Sequence, residues 1–162
     1  MPAVHRLNHA VLYVSNVERS AAFYRDLLGF EIKISFPGGA FLTANGSGND
    51  HDLGLFEVPA AAPSPAGRRP GLYHLAWQVD TIDELAELRT KLSAAGSLVG
   101  ESDHGVSKSL YAHDPDGIEF EVMWAVPRTA WPVRPGTDPL HLDAEIARWS
   151  RTSTLNELVA HA

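Results

Sequence analysis

Histidine residues in this chain fall at positions where they could hold a metal ion. His9 and His74 each stand at the start of an apolar, strand-like run, and they are 65 residues apart. A single histidine at a strand end is more often satisfied by the backbone than by a metal. The same residue at matched places in two similar runs favours metal ligation for the pair. The chain contains no cysteine, so any metal must be bound by His, Asp or Glu.

A third ligand is expected in the run IEFEVMW, because divalent iron, manganese and zinc sites need at least three imidazole or carboxylate ligands. Apolar and polar residues alternate in this run, so Glu119 and Glu121 share one face of a strand. Two adjacent buried carboxylates repel each other unless a metal neutralises them. We therefore expect Glu121 to point inward as the ligand and Glu119 to lie at the solvated rim.

Two copies of one pattern must position these side chains. The segments that begin at Asn8 and Tyr73 both read as a strand, a helix-capping residue and an amphipathic helix ended by glycine. The predicted caps are Ser15 and Asp80, and the predicted helix ends are Gly29 and Gly96. Three strand-like runs follow each helix, so each copy is predicted to fold as a βαβββ module.

The repeat predicts an α+β fold in which two paired βαβββ modules form a curved mixed sheet with a metal cleft. A single domain is expected over residues 1–126, with its first module at about 6–60 and its second at about 72–126. The connecting segment 59–71 is rich in Pro, Ala and Gly and is predicted to be an exposed linker. Residues 127–162 lie outside the repeat and form an extension with a predicted short helix.

The amino-acid composition and net charge limit the kinds of molecule that the chain is expected to bind. The 162 residues are 44% hydrophobic and 20% charged, as in ordinary globular proteins. The net charge of −7 argues against nucleic acid or an anionic membrane as a partner. No run approaches the length of a membrane span, and the N-terminus lacks the apolar core of a signal peptide. The default expectation is therefore a cytoplasmic enzyme or binding protein.

Three segments resemble the metal-binding strands of the vicinal oxygen chelate superfamily: LNHAVLYV, LYHLAWQV and YAHDPDGIEFEVMW. This superfamily includes glyoxalase I, fosfomycin and bleomycin resistance proteins, and type I extradiol (catechol 2,3-) dioxygenases. The resemblance covers roughly residues 6–126. It implies a metal site at the cleft with His9, His74 and Glu121 as its ligands.

The first module departs from the pattern of the glyoxalases. Glyoxalase I members usually have a fourth ligand, a glutamate on the last strand of that module. In this chain the corresponding strand is DLGLFEV, where Leu53, Gly54 and Leu55 occupy the matching positions. Glu57 lies too far along the strand. A site with three ligands keeps open coordination positions, as iron oxygenases require.

Three further residues resemble the acid–base groups of extradiol dioxygenases. The segment HDLGLF places His51 beside bound dioxygen, and DHGVSKSLY places His104 to hydrogen-bond the substrate phenolate. Tyr111 stands ten residues before Glu121, a spacing similar to that in those enzymes. The resemblance thus implies an Fe²⁺-dependent dioxygenase, with Mn²⁺ as a possible metal, that acts on a catechol-type aromatic and O₂.

Other members of the superfamily remain as alternatives. One is another metal-dependent enzyme: a glyoxalase-like lyase, an epimerase or a thiol transferase. The other is a metal-free resistance protein that sequesters a ligand, a class that generally lacks the His-His-Glu set. The resemblance alone suggests a homodimer. Phe41 and Trp77 are expected to line the apolar part of the pocket, and His113 to point to the strand face opposite Tyr111.

Overall fold

A computed structural model of the chain describes Val4 and residues 6–59, 71–134 and 136–155. The chain divides into two compact units, Met1–Pro70 (unit 1) and Gly71–Ala162 (unit 2). Nearly all of the predicted linker lies outside the described residues. The expected single domain over 1–126 stays a prediction.

Unit 1 contains one helix and a four-stranded sheet. Its elements are β1 (Ala10–Val14), α1 (Val17–Leu28), β2 (Glu31–Phe36), β3 (Gly39–Thr43) and β4 (Leu53–Glu57). The strand order is β1-β4-β3-β2, in which β1 and β4 are parallel and the other pairs are antiparallel. The helix α1 ends at Gly29, whose φ of 75° is the left-handed conformation that glycine adopts without strain.

Unit 2 repeats this arrangement. Its elements are β5 (Leu75–Val79), α2 (Ile82–Ala94), β6 (Leu98–Asp103), β7 (Ser107–His113) and β8 (Glu119–Ala125), followed by a 3₁₀ turn (Arg128–Ala130) and α3 (Leu142–Trp149). The order β5-β8-β7-β6 and the pairing directions match those of unit 1. The predicted α+β class with two βαβββ modules is therefore confirmed. Gly96, the second predicted helix stop, also has a positive φ, of 69°.

Both helices begin one residue later than the sequence predicted. Asn16, not Ser15, caps α1, and its side chain accepts a hydrogen bond of 2.7 Å from the backbone N–H three residues on. Thr81, not Asp80, caps α2, where Thr81 and Glu84 satisfy each other's backbone N–H groups in a capping box. The Asp80 side chain does not cap α2, because it accepts hydrogen bonds from Ser153, Thr154 and Leu155 instead.

Each sheet has one face packed against a helix and one face turned away from it. In β1, Leu12 and Val14 are 6% and 1% exposed, whereas Val11 and Tyr13 are 52% and 72% exposed. The corresponding buried residues of β8 are Phe120, Val122 and Trp124. We call the other side of each sheet its helix-distal face, and all of the predicted site residues on β7 and β8 lie there.

The C-terminal extension packs on unit 2. Leu142 of α3 is buried, and the ring of Trp149 lies 6.0 Å from that of Trp124. These contacts add α3 to the helical side of the second sheet. None of the helices in the described ranges is long and apolar enough to cross a membrane.

Candidate functional site

Strand register shows which residues of the two units are equivalent. Gly54 of β4 lies between β1 and Phe41 of β3. Glu121 of β8 lies between β5 and Tyr111 of β7. Because strand order and register agree, Gly54 is the counterpart of Glu121, and Phe41 is the counterpart of Tyr111. Of the three positions that the sequence matched to the fourth ligand of glyoxalases, Leu53, Gly54 and Leu55, the register selects Gly54.

The register also shows which residues are equivalent just before the paired parallel strands of each unit. Ala10 pairs with Leu53, and Leu75 pairs with Phe120. The preceding residues are equivalent as well: His9 corresponds to His74, and Asp52 corresponds to Glu119. The two histidines therefore occupy the same place in their units, as the repeat predicted.

His74 and Glu121 meet on the helix-distal face of unit 2. Nε2 of His74 lies 3.1 Å from Oε2 of Glu121, and their side chains are 23% and 12% exposed. Nδ1 of His74 is buried with no hydrogen-bond partner among the described residues. An imidazole and a carboxylate that converge in this way are the donor types that iron, manganese and zinc prefer. The residues present thus fit a divalent metal.

Glu119 lies between two imidazoles. Its carboxylate oxygens are 3.7 Å from Nδ1 of His74 and 3.7 Å from Nε2 of His113, too far for hydrogen bonds. Its side chain is 23% exposed, about twice as much as that of Glu121. The expectation that His113 points away from Tyr111 is wrong, because strand residues two apart share a face and His113 pairs with Glu119.

Tyr111 and His104 form a polar pair beside these ligands. The Tyr111 hydroxyl lies 2.8 Å from Nε2 of His104, and the Tyr111 ring lies 5.7 Å from that of His74. Burial, with a further contribution from the Glu121 carboxylate, raises the pKa of Tyr111. The phenol therefore stays protonated at neutral pH and can donate a hydrogen bond.

The second histidine group lies in unit 1. The ring of His51 is 4.6 Å from that of His9 and 4.8 Å from that of Phe41. Nδ1 of His51 lies 3.1 Å from a carboxylate oxygen of Asp50. A hydrogen bond from Lys33, followed by that from His51, holds the pKa of Asp50 below its usual value. The ionised carboxylate can accept a hydrogen bond from Nδ1–H of His51 and so orient the ring.

The place of a fourth ligand in unit 1 is filled by an aromatic ring. A Cβ atom on Gly54 would lie 3.2 Å from Cε1 of Phe41 and 3.4 Å from Val11. Glu57, the nearest carboxylate on the strand, accepts a hydrogen bond of 3.0 Å from the N–H of Val17 at the start of α1. Glu57 thus caps a helix, which explains why this carboxylate is present.

The predicted site residues fall into one group in each unit. Unit 1 brings together His9 and His51, and unit 2 brings together His74, Glu121, Tyr111 and His104. Within either unit, the described residues contain no group of three His, Asp or Glu side chains that could hold a metal ion. The ligand set that combines both units stays a prediction.

Two further residues correct the expectations drawn from the sequence. Trp77 pairs with Val122 and so lies on the helix side of its sheet, away from Glu121. Thr137 is a further residue near the site, because its Oγ1 lies 3.2 Å from Nδ1 of His104. The two are 33 residues apart, and no motif links them, so the sequence offered no signal for this contact.

Comparison with known proteins identifies the family. Residues 6–122 match the model of the Glyoxalase/Bleomycin resistance protein/Dioxygenase superfamily. The chain therefore belongs to this superfamily, as the three strand motifs predicted. A crystal structure of a glyoxylase/bleomycin resistance protein/dioxygenase domain from Frankia sp. EAN1pec shares the fold. Its TM-score is 0.64 at 21% identity, over 78% of this chain and 96% of that one.

Two relatives point to different activities. A catechol-2,3-dioxygenase from Bacillus subtilis (strain 168) is 35% identical over 134 residues, which cover 81% of this chain and 46% of the relative. A lactoylglutathione lyase from Neisseria meningitidis serogroup A is 32% identical over 125 residues, which cover 73% of this chain and 89% of the relative. The chain thus spans about half the length of the dioxygenase. The superfamily is established, and the choice of activity depends on the site.

Proposed function

We propose that this chain is an extradiol ring-cleaving dioxygenase that uses Fe²⁺, with Mn²⁺ as the alternative metal, and acts on a catechol-type aromatic with O₂. The row formed by Glu121, Tyr111 and His104 supports this best. A carboxylate of the metal-ligand type lies next to a phenol, whose hydroxyl is 2.8 Å from an imidazole. Such a row can bind the oxygen of an aromatic diol and move its proton. The similarity to a catechol-2,3-dioxygenase agrees with this choice.

The proposed metal ligands are His9, His74 and Glu121. Two imidazoles and one carboxylate are the donor set of open iron sites that react with dioxygen. When bound, the metal would supply Lewis acidity toward the catechol oxygens and a path for electrons to dioxygen. Gly54 provides no fourth carboxylate, so coordination positions remain for the substrates.

Tyr111 and His104 would hold and move the proton of one catechol hydroxyl. Because the raised pKa of Tyr111 keeps its phenol protonated, Tyr111 can donate a hydrogen bond to the substrate oxygen or to His104. Imidazoles accept and return protons near neutral pH. The pair therefore gives the substrate proton a path from the catechol oxygen through Tyr111 to His104.

His51 would deliver the proton that cleavage of the O–O bond consumes. Its Nδ1 is engaged by Asp50, which leaves Nε2 as the nitrogen that can hold or release a proton. Contacts with the rings of His9 and Phe41 fix its position beside a proposed ligand. Both oxygen atoms of O₂ then enter the ring-opened product, a semialdehyde of the muconic type.

A glyoxalase-like lyase is the second candidate, because the Neisseria relative is aligned over 89% of its length. The absence of a side chain at Gly54, with Phe41 packed above it, argues against this reading. A lyase would also consume no dioxygen. Oxygen uptake therefore separates the two candidates directly.

The proposal extends to a homodimer in the cytoplasm that acts on a small aromatic molecule, without nucleic acid or membrane as a partner. The family resemblance and the net charge of −7 support these points. Analytical ultracentrifugation checks the dimer, since a monomer at all concentrations would contradict it.

The test of the activity is anaerobic reconstitution with Fe²⁺, followed by air and a panel of catechols with alkyl and aryl substituents. We expect a yellow ring-fission product and oxygen uptake equal to the amount of product. The control is the same protein treated with a chelator, which should give neither signal. No oxygen uptake with any catechol would overturn the proposal.

A further inference from the structure

The C-terminal extension reaches a proposed catalytic residue, although it lies beyond the family match over residues 6–122. Asp103, the last residue of β6, and Asp138 exchange two backbone hydrogen bonds, each 2.8 Å long. In an antiparallel pair, the residue that follows one member lies opposite the residue that precedes the other. His104 therefore lies opposite Thr137.

The extension is fixed to unit 2 at other points as well. Glu145 of α3 lies 3.4 Å from Nζ of the buried Lys108 on β7. Further along, the Asp80 carboxylate accepts a hydrogen bond of 2.7 Å from the Ser153 hydroxyl and bonds of 2.9 Å from the next two backbone N–H groups. The part of the extension that follows Thr137 is thus fixed at several points.

His104 is contacted at both ring nitrogens. Oγ1 of Thr137 lies 3.2 Å from Nδ1, and the hydroxyl of Tyr111 lies 2.8 Å from Nε2. A neutral imidazole has one N–H, and a threonine hydroxyl can accept a hydrogen bond from it. When Tyr111 donates to Nε2, the His104 proton belongs on Nδ1 and Thr137 is its acceptor. The His104 backbone is held too, because its N–H donates to the Ser107 carbonyl at 2.9 Å.

We propose that Thr137 is a positioning residue for the reaction: it fixes the ring orientation and the tautomer of His104, so that Nε2 faces Tyr111 as an acceptor. The catalytic consequence rests on the proposed dioxygenase function. Without the Thr137 hydroxyl, the ring can rotate and place either nitrogen toward Tyr111. The proton path from the substrate is then complete in only part of the molecules, which slows turnover without weakening substrate binding.

Kinetics of the Fe²⁺-loaded full chain test the catalytic consequence. Thr137→Val keeps the shape of the side chain and removes the hydroxyl, and Thr137→Ser restores the hydroxyl. For the valine variant we expect kcat to fall about tenfold with KM within about twofold of the original, and for the serine variant nearly full recovery. Ser153→Ala is the matched control, because it removes a hydroxyl from the same extension at Asp80.

A ¹⁵N NMR measurement of the histidine ring nitrogens tests the positioning without any turnover. The full chain without added metal is used, and the His104 signals are assigned by their loss in His104→Gln. We expect the Nδ1–H tautomer in the original chain, Thr137→Ser and Ser153→Ala, and a mixture in Thr137→Val. If no catechol is cleaved, the proposed function fails while this comparison still decides the role of Thr137. An unchanged tautomer in Thr137→Val would overturn the inference, and so would the same change in Ser153→Ala.

Discussion

The two units differ in chemistry at two of three equivalent positions: one position lies just before the first strand of each unit, and the two that differ lie on later strands. Unit 2 has His74, Tyr111 and Glu121 at these positions, and unit 1 has His9, Phe41 and Gly54. Only the histidine is common to both. The backbone frame is therefore the same in both units, while the carboxylate and the phenol at these positions occur only in unit 2.

The neighbours of these positions extend the contrast. In unit 1, the ring of Phe41 lies 5.9 Å from each of the rings of Phe36 and Phe56, which makes the helix-distal face an aromatic cluster. In unit 2, the residue across from Tyr111 on β6 is Gly100, and the ring of Tyr111 contacts the rings of His74 and His104. The difference between Phe41 and Tyr111 is therefore accompanied by different neighbouring residues on the helix-distal faces of the two sheets.

The largest effect is expected at the carboxylate that distinguishes unit 2. Glu121→Gln keeps the shape of the side chain and removes its charge, so it should weaken binding of Fe²⁺ at least about 100-fold and abolish ring cleavage. Glu119→Gln on the same strand face is the control and should change metal affinity only slightly. Equal losses in both variants, measured by metal titration, would contradict the distinction between the two glutamates.

A smaller loss is expected when Tyr111 is converted to the residue found in unit 1. Tyr111→Phe should lower kcat about 100-fold, because it removes a proton-transfer group, while metal content stays unchanged. Steady-state oxygen uptake measures the first quantity and metal analysis the second. Full activity in this variant would show that the phenol has no part in the reaction.

Asp52 differs from its counterpart Glu119 in its hydrogen bonds, since among the described residues Glu119 has only two imidazoles at 3.7 Å. Asp52 is 7% exposed. It accepts hydrogen bonds from Ala44, Thr43, Ser47 and Asn49. Asp52→Asn should lower the free energy of unfolding by about 2 kcal/mol near neutral pH, because these donors lose their charged acceptor. Denaturant titration measures the change, and the exposed Asp26→Asn serves as a control that should change little.

The effect of Asp52 should depend on pH. Burial by itself raises the pKa of Asp52, but the hydrogen bonds from the backbone of Ala44 and from Asn49, Ser47 and Thr43 more than offset it, so the pKa is lowered. A carboxyl with a lowered pKa stabilises the fold above its unfolded value of about 3.9 and loses that contribution as the pH falls through its folded value. The gap between the original chain and Asp52→Asn should therefore close in acid. A gap that widens would refute the assignment.

The smallest effect is expected at Gly54. Gly54→Ala places a Cβ 3.2 Å from Phe41 and should lower the free energy of unfolding by about 1 kcal/mol. In a Phe41→Leu background the same change should cost less, because the smaller side chain can move away. A double-mutant cycle by thermal denaturation measures this coupling. If the two changes in the free energy of unfolding were additive, the Phe41 ring would not be the reason that position 54 requires glycine.

The sequence was sufficient for the fold because the repeat is expressed in local signals. The helix stops at Gly29 and Gly96 and the alternation around Glu121 each reflect a backbone requirement that a single segment reveals. The sequence did not show which residue of the first module corresponds to Glu121, and the strand register identifies it as Gly54. The loops differ in length between the copies, so an offset of 65 at the histidines becomes 67 at this strand.

Side-chain contacts between distant segments were the other missing part. The Thr137–His104 contact depends on a backbone pairing between β6 and the C-terminal extension. No pattern in the sequence of either segment predicts that pairing. The face of His113, by contrast, follows from the period of two in a strand and was available from the sequence. Features set by local sequence could therefore be predicted, whereas contacts that depend on the pairing of distant segments could not.

The proposed function requires that His9, His74 and Glu121 bind one metal ion together. Calorimetric titration of the chelator-treated chain with Fe²⁺ under anaerobic conditions tests it most directly, with His9→Ala compared with the original chain. We expect binding of a single equivalent in the original chain and at least about 100-fold weaker binding in His9→Ala. Unchanged affinity and stoichiometry in His9→Ala would contradict it.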